Sequence, residues 1–511
     1  MNVSRKYVQL ERGPLPIFMR RQFITLGVAN ISDFAVQLFT PLVLVRVLDE
    51  SGFGDYRLLW LAAGTLLAIV PFGMTGSLPY FLPRHDLRGQ VVFVRQALFY
   101  MLLTGLLSAL VLSPLNPLLP GSLGTLSQSH FTATLFWALW VFASTLDILP
   151  NAERRIELQA GLIFGLALLR GGAVIAAAIL GGINAVIGVL ALLAATKAFL
   201  LLAISTARYG WRLWFGGTSR WLEQARYAIP IGANNAVYLL RLQADQWLVV
   251  VLFGSAQYGV YSVGVIALAL GTIIRTTVNN VIFPEMSKAQ AEGDLSKIMD
   301  LNSRSNVAVS LFVFPLLAYL FAAADPIIRL VYTDAYAGAV PVLRLNVIAF
   351  LVASVEMTTV MLALRQGPSL LRSSLISLPV GLLAGYAGSL VWGTEGAMAG
   401  AVLGNFVAIS VVFVSASRVL ALPLRALQDW PTIGRIGGAA IAAGVAAYVT
   451  LLLISTTLGH VQAILVSGAV FCCAYLPSLI GLGQWGLVAR TLALSRDFPR
   501  QFRTRPRRIA G

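Results

Sequence analysis

Residues 230–284 read PIGANNAVYLLRLQADQWLVVVLFGSAQYGVYSVGVIALALGTIIRTTVNNVIFP, and residues 25–79 read TLGVANISDFAVQLFTPLVLVRVLDESGFGDYRLLWLAAGTLLAIVPFGMTGSLP. Laid over each other without a gap, at a constant offset of 205 residues, Gly27 meets Gly232, Asn30 meets Asn235, Gly54 meets Gly259, Tyr56 meets Tyr261 and Pro79 meets Pro284. Only 8 of the 55 aligned positions are identical, so the weight rests on which residues match. An Asn, a Gly-x-Tyr and a Pro are not the filler of a lipid-facing helix. The pattern reads as a duplicated membrane lobe, and internal repeats of this kind are how many secondary transporters build a central substrate site between two halves.

Composition sets the class. With 58% hydrophobic residues, 11% charged residues and a mean hydropathy of +0.81, the chain has too few charges for a soluble protein of 511 residues. Its apolar runs reach about 20 residues, enough to cross roughly 30 Å of hydrocarbon. The fold class expected is an all-α polytopic membrane protein of about 14 transmembrane helices. We place the spans near 23–46, 57–79, 92–113, 130–150, 158–180, 184–206, 228–253, 258–284, 305–324, 341–364, 373–393, 396–417, 433–455 and 461–486, most of them bounded by Gly, Pro or charged turns. The expected organisation is an N-terminal lobe over 1–215 (spans one to six), a C-terminal lobe over 216–425 (spans seven to twelve), and two additional spans with a basic tail over 426–511. Six spans per repeat make the two lobes enter the membrane in the same sense, related by a pseudo-two-fold axis along the membrane normal.

Loop charge sets the orientation, because cytoplasmic loops collect Lys and Arg. The amino tail, alternate loops around Arg84/Arg88, Arg154/Arg155, Arg208 to Arg226, Lys288 to Arg304, Arg365/Arg372 and Arg418 to Arg435, and the carboxyl tail hold most of the 37 basic residues. Both ends are therefore expected in the cytoplasm, in an inner (plasma) membrane. The stretch from Met1 to Arg21 has no apolar core followed by a small-residue cleavage site, so the first span is read as an anchor and not as a cleaved signal. A net charge of +16 and the Arg-rich tail suit anionic headgroups of membrane lipids, and no nucleic-acid partner is expected. Cys472 and Cys473 are adjacent and read as packing residues, while His85, His130 and His460 sit at span borders without a ligand set. Neither a cofactor nor a metal is expected.

The informative residues are the ionisable groups expected within spans: Asp33, Arg170, Lys197, Arg241, Asp245, Arg275 and Glu356. At roughly 3 kcal/mol each, leaving all seven in lipid would cost on the order of 20 kcal/mol, more than a fold is usually worth. They must face protein or water. Asn234, Tyr238, Arg241 and Asp245 fall on one helical stripe of span seven; span one carries Asn30, Asp33 and Gln37 on one face, and span eight carries Thr272, Arg275 and Asn279. A shared lining between the lobes is the expectation, with Asn30, Asp33, Asn234, Arg241 and Arg275 facing a common water-accessible space. Arg241 and Asp245 read either as a self-neutralising pair or as a binding site, Arg170 and Lys197 as cavity cations or interhelical partners, and Glu356 as a hydrogen-bonding group or a proton site. Asp33 has no basic neighbour within a turn, and a functional role is expected for it. Four basic groups against three acidic ones lean toward an anionic substrate, for whose phosphate or carboxylate oxygens Arg offers a planar fork.

The run Asp245 through Leu252, with Gly254, Gly259, Tyr261 and Pro284, then the charged linker with Glu285, Lys288, Asp294 and Asn302, the segment PIIRLVYTDAYAGAVPVL (326–343) and EGAMAGAVL (395–403), resembles a known family. It is the Wzx-type polysaccharide transporter, or lipid-linked oligosaccharide flippase, branch of the multidrug/oligosaccharidyl-lipid/polysaccharide exporter superfamily. The resemblance covers most of residues 20–420. It implies twelve core spans in two six-helix lobes, with helices one, two, seven and eight lining a central cavity. The implied substrate is an undecaprenyl-pyrophosphate-type oligosaccharide, supplied by glycosyltransferases and passed to a polysaccharide polymerase for lipopolysaccharide O-antigen, exopolysaccharide or capsule synthesis.

On that reading Arg241, Arg275, Arg170 and Lys197 replace water around the phosphates, and Asn30, Asn234, Asn235 and Asn279 serve the sugars. Asp33, Asp245 or Glu356 takes the H+ or Na+ that resets alternating access. Two relatives in the superfamily stay open as alternatives, a multidrug/cation antiporter, which Asp33 favours, and a lipid II flippase, which the additional pair of spans favours. A membrane glycosyltransferase or polymerase would need a large outer loop with catalytic groups, which the short outer loops do not supply, and no enzymatic activity is expected.

Overall fold

The structure, a computed structural model, describes residues 17–112, 130–217, 219–266, 269–454 and 457–482. Every regular element among the described residues is helical, and ten helices are long and apolar enough to cross a membrane. Two of the ten are too long for one crossing. At about 1.5 Å per residue, the 54 residues of Ile156–Tyr209 and the 46 of Trp221–Ile266 exceed the hydrocarbon twofold, and each breaks at glycine. The first breaks at Gly181 and Gly182 (φ 63°), the second at Gly254 (φ 82°), a left-handed backbone that glycine adopts without steric penalty. The first therefore supplies two spans, whereas the residues after Gly254 begin expected span eight.

Glu50–Ile69, Ala269–Ala291 and Ala339–Ser354 occupy the places of expected spans two, eight and ten. The duplicated segments turn at aligned positions. Asp49 caps Glu50–Ile69 by accepting from the Gly52 N–H at 3.1 Å, and the residue 205 positions on is the helix-breaking Gly254. Tyr56 and Tyr261, matched in the repeat, are both buried. Asp86 and Asp294 cap the following helices in the same way, accepting from Gly89 N at 3.0 Å and Lys297 N at 2.9 Å.

The chain divides into two compact units, Met1–Ala236 and Val237–Gly511, so the border falls within the Trp221–Ile266 helix. In the first unit, Leu78, Phe81, Phe93, Met101, Phe142, Leu146 and Leu201 pack a core around the cytoplasmic ends expected for spans two to six. In the second unit the core takes in the additional pair Trp430–Ile454 and His460–Gly481, whose Ile436, Ala440, Ala443 and Phe471 meet Phe314 and Leu311 of Leu295–Ala322. The Tyr319 and Tyr475 hydroxyls fasten that packing by donating to the carbonyls of Ile464 at 2.7 Å and Leu311 at 3.2 Å.

Glycine controls the tightest contact in the second unit. Gly367–Trp392 and Thr394–Leu420 form a hairpin in which Gly388 faces Gly396, Gly385 faces Gly400 and Gly381 faces Gly404. A Cβ on Gly400 would lie 2.2 Å from Gly385 Cα, closer than any side chain permits. Close backbone approach of this kind is how helices associate where lipid gives no hydrophobic drive.

Candidate functional site

The helices in the places of expected spans four and ten are interrupted, and each of these breaks carries an acidic residue. The helix His130–Ala143 gives way to a tight turn at Ser144–Asp147 before resuming at Leu149, and Ala339–Ser354 stops at an extended Val355 before Thr358–Ala363. Backbone exposed by such breaks must be satisfied by protein or water. The Gln159 amide donates to the Asp147 carbonyl at 2.9 Å, and the Asn306 amide donates to the Glu356 carbonyl at 2.9 Å. Discontinuous helices of this sort mark substrate and ion sites in transporters.

In the first unit a cavity of about 560 Å³ opens between Ile17–Val47, Glu50–Ile69, the Ser144–Asp147 turn and both halves of Ile156–Tyr209. Asn30, Asp33, Arg170 and Lys197 all line it, together with Gln37, Gln159, Trp60 and Trp140. Arg170 Nη2 lies 2.8 Å from Asp33 Oδ1, and Gln37 donates to the other carboxylate oxygen at 2.7 Å. Lys197 Nζ lies 2.7 Å from Asp147 Oδ2 and 4.4 Å from the Trp140 ring centre; the Arg170 guanidinium lies 5.5 Å from that of Trp60. These cations are thus held by both charge and aromatic faces.

Arg57 is the exception. It lines the same cavity with no ion pair and no hydrogen bond among the described residues, and its Nε is buried without an acceptor. Three basic groups, Arg57, Arg170 and Lys197, thus face two carboxylates, Asp33 and Asp147, leaving one net positive charge. Neither Arg57 nor Asp147 stood among the candidates from sequence. Both lie at the margins drawn for spans two and four, where an ionisable group is easily taken for a loop residue.

The second unit holds a cavity of about 330 Å³ lined by Tyr238, Arg241, Asp245, Asn346, Ser377 and Asn405 among others. Arg241 and Asp245 form no ion pair. Arg241 Nη1 donates to Asn405 Oδ1 at 2.6 Å, its Nε is buried without an acceptor, and Asp245 accepts from the Tyr261 hydroxyl. Each is half-buried, and its side-chain partners among the described residues are neutral polar groups.

Arg275, Asn279 and Glu356 lie elsewhere in that unit and line neither cavity. Arg275 is 9% exposed and sits with Nη2 2.7 Å from Glu356 Oε1, its Nη1 donating to Asn306 Oδ1 at 2.8 Å. The same carboxylate oxygen accepts from Asn279 and Thr359, each at 2.8 Å. Asn302 and Gln428 complete the knot with contacts of 3.1 Å to Met357 Sδ. The cluster clasps the break in span ten. Asn234 and Asn235, on Trp221–Ile266, line neither cavity either.

The family described as "Polysaccharide biosynthesis protein" matches residues 43–341. No curated protein matches by sequence. Among solved structures, the lipid II flippase MurJ in an inward closed conformation superposes with a TM-score of 0.70 at 12% identity, covering 92% of this chain and 100% of the other. An inward-facing multidrug resistance MATE family transporter of the MOP superfamily gives 0.60 at 14% identity, over 78% and 98%. A MOP superfamily transporter from Pyrococcus furiosus gives 0.52 at 12% identity, over 79% and 96%. At these identities the likeness is one of fold.

Proposed function

The chain belongs to the polysaccharide biosynthesis protein family, and on that footing we propose that it moves a polyprenyl-pyrophosphate-linked oligosaccharide from the cytoplasmic to the outer leaflet of the plasma membrane. Both termini lie in the cytoplasm on this reading. The cargo comes from glycosyltransferases and goes to a polymerase assembling O-antigen, exopolysaccharide or capsule.

The observation that carries the proposal is the first unit's cavity, where three basic groups face two carboxylates and Arg57 has no counter-ion among the described residues. The barrier to flipping such a lipid is the desolvation of its pyrophosphate and sugar hydroxyls, not the passage of its tail. An unpaired guanidinium presents the planar fork that phosphate oxygens accept from. Asn30, Gln37 and Gln159 supply amides beside it, and Trp60 and Trp140 supply apolar walls. No covalent bond is made or broken.

Arg241 and Asn405 offer a second polar station in the second unit's cavity, and Asp245 is the carboxylate best placed to bind H+ or Na+. Its two rivals each have a cationic partner, Asp33 in Arg170 and Glu356 in Arg275. Arg275, Asn279 and Glu356 then serve as the brace of span ten.

The test is translocation of a fluorescent lipid-linked oligosaccharide in reconstituted vesicles. Losing a charged hydrogen bond costs about 2 kcal/mol, a factor of roughly thirty, so Arg57→Ala should slow translocation by that order at unchanged protein content. Arg57→Lys, which keeps charge without the fork, should recover part of it. Unchanged rates in Arg57→Ala would remove the site from the pathway.

A further inference from the structure

We propose that Asp33 and Asp147 are internal counter-ions which an incoming pyrophosphate displaces, so that anion binding in the first unit's cavity takes up a proton. This rests on the anionic-headgroup reading above and specifies which groups give way when the headgroup enters.

The ionisable groups facing this cavity are Asp33 from Ile17–Val47, Tyr56 and Arg57 from Glu50–Ile69, Asp147 from the broken fourth span, and Arg170 and Lys197 from Ile156–Tyr209. Within each ion pair the carboxylate is the more open partner. The Asp147 side chain is 54% exposed against 7% for Lys197, and that of Asp33 is 31% exposed against 18% for Arg170. Both cations are also seated against tryptophan rings, so they are the fixed members. An anion in the cavity meets in Arg57 a cation with no carboxylate to displace, but it reaches Arg170 and Lys197 by replacing their carboxylates.

A displaced carboxylate then shares a confined space with a doubly charged pyrophosphate diester, and like charges at short range favour the protonated acid. Charge counting gives the stoichiometry. The empty cavity carries one net positive charge; two added negative charges leave one net negative charge, and one proton restores neutrality. The proton comes from water and rests on Asp33 or Asp147. The cation thus trades one oxyanion partner for another, and uptake of about one proton per headgroup follows.

The experiment uses the full chain in lipid nanodiscs and the symmetrical dimethyl diester of pyrophosphate, which carries two charges and does not itself titrate near neutrality. Calorimetry in two buffers of different ionisation enthalpy reads affinity and proton uptake together. The parent should take up about one proton per diester bound, and its affinity should fall about tenfold per pH unit as pH rises, as reciprocity between proton and anion demands. Asp147→Asn and Asp33→Asn, on separate elements and tested singly, should each bind the diester about tenfold more tightly with reduced uptake, whereas Asp147→Glu should behave as the parent.

Binding by the parent without proton uptake overturns this inference and leaves the anion site standing. Weaker binding by both asparagine variants also overturns it, because the carboxylates would then be holding the cations in place for the anion. A parent that binds no diester overturns the anion reading and this inference with it.

Discussion

Arg241 and Asp245 stand one turn apart on one helix and yet do not pair: the guanidinium donates to Asn405 at 2.6 Å and the carboxylate accepts from the Tyr261 hydroxyl. An (i, i+4) pair of opposite charge is the expected contact on a helix surface. Here each side chain is turned to a different neighbour, so the second unit's cavity keeps a cation and an anion, neither neutralised by the other.

Asp245→Asn should therefore reduce the response of transport to an imposed proton or sodium gradient while leaving the protein folded. The substitution keeps an acceptor for Tyr261 and removes the carboxylate proposed to bind H+ or Na+. The measurement is translocation in vesicles with and without each gradient. A response equal to that of the parent would exclude Asp245 from coupling and return attention to Asp33.

Glu356→Ala should destabilise the second unit. Removing one partner of a buried ion pair leaves the other charge uncompensated, at about 3–5 kcal/mol, and here Arg275 would be the stranded charge at 9% exposure. Glu356→Gln retains an acceptor for Asn279 and Thr359 and should lose less. Thermal unfolding followed by size-exclusion chromatography in detergent ranks the variants. Equal stability of Glu356→Ala and the parent would contradict the bracing role.

Gly400→Leu should prevent the hairpin of Gly367–Trp392 and Thr394–Leu420 from closing, because its Cβ alone would fall 2.2 Å from Gly385 Cα. Gly438→Ala is the matched control. A Cβ at Gly438 meets nothing within 4 Å, and replacing a mid-helix glycine gains up to about 1 kcal/mol. Yield of monodisperse protein should collapse in the first variant and hold or rise in the second. Similar yields in both would show that the glycine contacts are dispensable.

Much of the candidate site was legible in part. Asn30, Asp33, Arg170 and Lys197 were singled out because charge and amide groups within apolar spans must find protein or water, and they share one cavity. Arg275 was grouped with them on the same ground, but burial beside Glu356 satisfies that requirement equally well. Cost in lipid says that a charge needs a partner. It does not say whether the partner is substrate, solvent or another side chain.

The chain's own letters were sufficient for whatever depends on position along the membrane normal. Helix lengths, the glycine breaks and the turns matched at Asp49 and Gly254 follow from the thickness of hydrocarbon and from local backbone preference, both of which act over neighbouring residues. Partnership belongs to the folded chain. Asp33 has no basic residue within a turn, yet it meets Arg170 across 137 residues of sequence, and Arg241 passes over Asp245 for Asn405 across 164. Ion pairs and hydrogen bonds form only within about 3–4 Å, a separation set by helix packing and not by spacing along the sequence.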